Sequence, residues 1–153
     1  MTSPVGPRSG SSAHDTGDTS SALDILRAAP RVTIHTVGFA AAKPPEMLAY
    51  VRLKSAGGAV RRELDELLRT GSPSGRVYAA LLLEATEAEA GRTAWMSLRD
   101  DNDSTAIHCG GCTPHYPTTV GAFASAVLAS GGAASAMTVR GVPSWSRPPA
   151  ASS

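Results

Sequence analysis

The sequence predicts a mainly α-helical protein: a small bundle of about six helices packed as helical hairpins, with one or two short extended segments. Three observations carry this expectation. Apolar residues recur at helical spacing through most of the middle of the chain. Ser, Thr and Pro stand where these patterns begin, and Gly where they stop. Only 5% of residues are aromatic, so the core must be built from Leu, Val and Ala with few large anchors. The organisation that follows is a disordered tail over residues 1–19, a helical domain over 20–132 and a flexible C-terminal tail over 133–153.

Both tails are assigned on composition. Residues 1–19 are rich in Ser, Thr, Gly, Pro and Asp without apolar periodicity, and cannot bury enough surface to offset the entropy of ordering them. The first helix is expected from Ala22 to Ala29, with Ser21 placed to cap it and Pro30 to stop it. Arg31 to Val37 alternate weakly through Val32 and Ile34, which fits a short strand or an extended connection. Pro44 and Pro45 open a second helix with Met47, Leu48 and Val51 on one face, ending at Gly57 and Gly58.

The third helix is the clearest segment. Val60, Leu64, Leu67 and Leu68 form its apolar stripe, and a mixed-charge face opposite supplies the pairs Arg62–Glu66 and Asp65–Arg69. Ser72 and Pro73 give a cap and a first-turn proline to the fourth helix, near Pro73 to Ala85, whose broad apolar face of Val77, Tyr78, Leu81 and Leu82 marks it as the core helix. Thr86 and Glu89 have the spacing of a capping box, restarting the chain as a fifth helix with Ala90, Ala94, Trp95 and Leu98 inward. Asp100 to Asp103 break the pattern, and Ser104 to His108 form a second extended piece. A sixth helix is expected from Thr119 to Ser130, closed by Gly131 and Gly132. The last segment, 141–153, carries Trp145 among prolines, either as an anchor for a partner or folded back onto the domain.

The stretch GSPSGRVYAALLLEATEAEAGRTAWMSLRDD, residues 71–101, resembles one helical hairpin of the HEAT and armadillo type, in which a small-residue turn precedes a Tyr-Ala-Ala-x-Leu-Leu helix. The resemblance implies a scaffold and interaction role without catalysis.

Fourteen basic against thirteen acidic residues give a net charge of +1, with no broad basic surface of the kind that binds nucleic acid or an anionic membrane. No apolar run reaches the roughly 18 residues of a membrane-spanning helix, and the N-terminus lacks the apolar stretch of a secretory signal. A cytoplasmic protein is therefore expected, in which Cys109 and Cys112, the two cysteines, are thiols.

One cluster carries potential chemistry. His108, Cys109, Cys112 and His115 place four candidate metal ligands within eight residues, with Gly110 and Gly111 allowing a tight chelate loop, and zinc is the ion such ligands suit. The same Cys-Gly-Gly-Cys spacing suits a redox pair, although Thr113, Pro114 and Pro117 separate it from the next helix. In a third reading the cysteines are small apolar residues covering the sixth helix. A cysteine with a histidine partner is formally available in Cys109 and His35, without support from spacing. The expectation is a non-catalytic helical protein-interaction or scaffold domain with an unknown protein partner; the alternative is a metal-binding or thiol-dependent protein using the four-residue cluster.

Overall fold

The computed structural model describes residues 9–35, 43–110, 113–138 and 142–146, with only the backbone of 9–16. The architecture is mainly helical, as expected. Among the described residues there are seven α-helices, five of them packed around a central sixth, and a three-stranded sheet closes one side. In chain order they are α1 (Ser9–Arg27), β1 (Val32–Thr33), α2 (Pro45–Ala56), α3 (Arg61–Thr70), α4 (Pro73–Thr86), α5 (Ala88–Leu98), β2 (Ser104–His108), β3 (His115–Thr119), α6 (Val120–Ser130) and α7 (Ala133–Met137). Short 3-10 turns cover Gly57–Val60 and Ser144–Ser146.

The core helix is where the apolar pattern puts it. In α4 every residue from Val77 to Leu83 is buried, and α1, α2, α3, α5, α6 and the sheet all pack on it. Ser72 caps it by accepting a hydrogen bond from the Gly75 amide at 3.0 Å, satisfying one of the amides a helix start leaves open. α5 returns against α4 as a helical hairpin. The two approach so closely at Gly91 that a Cβ there would stand 2.3 Å from the Glu84 Cα. The junction itself differs from the capping-box expectation. Glu87 is the N-cap residue of α5, and the Thr86 hydroxyl turns back to donate to the Leu82 carbonyl at 3.0 Å inside the last turn of α4.

Four further differences have physical causes. The first helix reaches back to Ser9, into the stretch read as a tail. Packing holds it: Ala22, Leu23 and Leu26 are buried, and Asp18 pairs with Arg52 of α2 at 3.3 Å. α2 is rotated from its expected face, so that Ala49, Tyr50 and Leu53 point inward while Leu48 and Val51 are exposed. On α3, Asp65 pairs with Arg61 at 3.3 Å, and Arg69 donates to the Asp65 backbone carbonyl instead. The segment after Gly132, read as flexible, turns into α7 with Ala133, Ala136 and Met137 buried, and Trp145 docks behind it. The indole donates to the Ala136 carbonyl at 2.8 Å, and its ring meets Phe123 of α6 edge-on at 5.0 Å. Residues 1–8, 139–141 and 147–153 of the two predicted tails lie outside the described residues.

The two extended pieces do pair. β1 lies parallel to β2, with Val32 opposite Ile107 and Thr33 opposite His108. β3 adds antiparallel to β2, from Ser104 opposite Thr119 to His108 opposite His115. β3 was not anticipated, because Pro117 reads as a strand breaker; at the sheet edge its missing amide breaks no ladder.

Candidate functional site

The site is a consequence of the parallel pair. Two parallel strands present their carboxyl ends on the same side, so the residues that follow β1 and β2 emerge together. Ile34 and His35 leave β1 beside Cys109 and Gly110 leaving β2, and a Cβ on Gly110 would lie 3.8 Å from the His35 ring. Tyr78 of α4 holds this edge in place. Its buried hydroxyl accepts from the Thr33 amide at 2.6 Å and donates to the Thr33 carbonyl at 2.9 Å, closing the backbone groups that β2 leaves open.

Beyond the strand ends lies a cleft of about 620 Å³ between α2, α4 and α7. That size falls within the roughly 300–1,000 Å³ usual for small-molecule sites. Its apolar surface comes from Ile34, Leu81, Ala85, Ala133 and Met137. Polar groups from separate elements converge on it: Tyr50 and Lys54 of α2, Glu84 of α4, Thr138 after α7, and His35 and Cys109. Glu84 is the joint of the cleft wall. Its Oε1 accepts from the Ala133 amide at 3.0 Å and its Oε2 from the Trp95 indole at 2.6 Å, so one carboxylate ties α4 to α5 and α7.

Lys54 Nζ stands 6.0 Å from the centre of the Tyr50 ring. Tyr50 itself is 8% exposed and lines the cleft, and its hydroxyl makes no hydrogen bond among the described residues. Burial, reinforced by the nearby Glu84 carboxylate, pushes the Tyr50 phenol above its ordinary pKa, so the hydroxyl is a proton donor throughout the neutral range. Burial also pushes the Cys109 thiol up. His35 is pushed down, by burial and then by His108. Cys109 and His35 therefore rest as a neutral thiol and a neutral imidazole at neutral pH.

The four candidate ligands of the hairpin loop are distributed as follows. His108 and His115 are register partners at the mouth of the β2–β3 hairpin, their rings 5.0 Å apart. His108 is fully buried, and His115 Nε2 is 2.8 Å from the Thr33 hydroxyl. Cys109 lines the cleft and is a free, half-buried cysteine. Cys112 lies outside the described residues. Among the described residues no three His, Cys, Asp or Glu side chains form a group able to hold a metal ion. Sequence reasoning missed Tyr50, Lys54, Glu84 and Thr138, which belong to three regions of the chain and share no local motif.

Compared with known protein families, curated proteins and solved structures, the chain matches none. Among the described residues no helix is long and apolar enough to cross a membrane.

Proposed function

We propose that this protein is a non-catalytic binding domain whose site is the cleft at the carboxyl ends of β1 and β2, and that its ligand is a small molecule. The observation that carries the reading is the convergence of Tyr50, Lys54, Glu84 and His35 on one concave, largely apolar surface. Burial holds Cys109 as a thiol and away from the reactive thiolate, which favours binding over turnover. Titrating the isotope-labelled protein with a small-fragment library tests it by amide NMR. Hits that shift Tyr50, Lys54, Ala85 and Ala133 support the reading. A library that leaves those amides unmoved overturns it.

The thiol-dependent alternative has one specific support, that the parallel register brings Cys109 and His35 to the same cleft. His35 would then accept the Cys109 proton on attack, and His35→Ala would slow alkylation of Cys109 by iodoacetamide; an unchanged rate sets that role aside. Zinc held by His108, Cys109, Cys112 and His115 stays a proposal on spacing, and stoichiometric zinc in the purified protein would establish it. A protein-interaction role draws on a different face, the shallow groove between α1 and α2 flanked by Ile25 and Leu48. These side chains are 39% and 53% exposed.

A further inference from the structure

The donors and acceptors of the cleft are not balanced. Glu84 is the carboxylate in its lining, and both of its oxygens already accept hydrogen bonds from the protein's own Trp95 indole and Ala133 amide. Thr138 donates its hydroxyl proton to the Ala134 carbonyl at 2.7 Å. Tyr50 and Lys54, in contrast, bring donors that no side chain or backbone acceptor among the described residues takes; the Lys54 ammonium stands only over the Tyr50 ring. The two lie four residues apart on α2 and so share one face of that helix. Both donors stand at the surface of the cleft, where a ligand's acceptor can replace water. What this wall lacks is an anion with two acceptor oxygens, and what lies opposite it is hydrocarbon.

We propose that the cleft takes a small organic monocarboxylate, its carboxylate held between Lys54 Nζ and the Tyr50 hydroxyl and its hydrocarbon part laid on Ile34, Leu81 and Met137. The proposal rests on the cleft being the binding site. A carboxylate fits better than a phosphate dianion, because one cation and one neutral donor match a single charge, and the fixed Glu84 carboxylate in the same cleft penalises a second.

Three probes of matched shape separate the possibilities: benzoate, benzyl alcohol and benzylamine, titrated by calorimetry and amide NMR into the full chain at neutral pH. The expected order is benzoate tightest, by about tenfold over the alcohol, since a hydrogen bond to a charged group is worth more than a neutral one. Lys54→Met, a change at an exposed position, should bring benzoate down to the level of the alcohol and leave the alcohol within about twofold, as expected when only the charged contact is removed. Tyr50→Phe keeps the ring and should weaken benzoate several-fold; unchanged benzoate affinity in that variant overturns the Tyr50 half of the site. Benzylamine binding tightest, or benzoate indifferent to Lys54→Met, overturns the acid proposal while benzyl alcohol shifting the cleft amides keeps the cleft itself. Failure of all three probes to shift those amides overturns both.

Discussion

Helices α2 and α4 start alike and end up in opposite situations. Each begins with proline in its first turn, and each carries apolar residues through its length. Yet α4 is buried without a break from Val77 to Leu83, whereas α2 buries Ala49, Tyr50 and Leu53 and leaves Leu48 and Val51 to solvent. The difference lies in coverage. α4 is packed by five helices and the sheet, which bury it continuously from Val77 to Leu83, and it meets the cleft at Leu81, Glu84 and Ala85 near its end. α2 rests on α1 and α4, and its remaining surface forms one wall of the cleft and one side of an open groove. An enclosed helix holds the fold together; a helix covered on part of its circumference has residues to spare for binding.

The sharpest way to break this contrast is to truncate both helices. Leu82, 1% exposed in α4, should lose about 2–5 kcal/mol on change to Ala, measured by chemical denaturation. Leu48→Ala on α2 should stay within about 0.5 kcal/mol of the parent, as exposed positions do. Equal losses at the two sites would mean that α2 is covered in solution.

A second test concerns how tightly α4 is enclosed. Gly91→Ala would ordinarily favour a helix, but here the added methyl meets the Glu84 backbone. It should destabilise by roughly 1–3 kcal/mol as α5 is pushed away, and a rise in thermal midpoint would show that the two helices are further apart. Tyr78→Phe, also on α4, strips the strand end of both hydroxyl contacts to Thr33. A loss of about 1–3 kcal/mol is expected, the cost of leaving buried backbone groups open. Its hydrogen-exchange signature should centre on Thr33, and slow exchange there in the variant would remove Tyr78 from that role.

The strand ends, where α2 faces the sheet, should also respond to pH, and this is the smallest and most distributed effect. His115 is pushed below its ordinary pKa by burial, then by His108 and Arg31, and His35 is pushed down in the same direction. With folded values below the unfolded one, the unfolded chain binds more protons between them. Stability should therefore be fully present above about pH 6.5, fall as the pH drops through that value, and level off below the folded pKa values. His115→Gln should flatten part of the fall. A stability that rises on acidification over the same window would contradict both shifts.

Much of the helical layout was legible because its signals are local. The Val60 to Leu68 stripe and the Ser72 cap each act within one or two turns of chain. Two misses were local, the Thr86–Glu89 capping box and the Asp65–Arg69 pair, and the larger ones were non-local. The inward face of α2 depended on where α1 and α4 lie, and the placement of 133–138 and 142–146 depended on Phe123, Tyr116 and Glu84 being there to receive them. Of the loop cluster, His108 and His115 were brought face to face, but the cleft beside Cys109 drew on residues with no common motif.

The sequence by itself determined that the segments of α2 to α6 become helices, that Ser72 caps α4, and that α4 forms the centre, since helix formation reads periodicity and capping within a short window. Tertiary structure decided the rest. The pairing of Val32 with Ile107 joins residues far apart in the chain, and nothing in either two-residue or five-residue strand specifies the other. Such contacts form only once the helices have set the two segments side by side, and the cleft, with Tyr50 and Lys54 facing Ile34 and Cys109, exists only after they have.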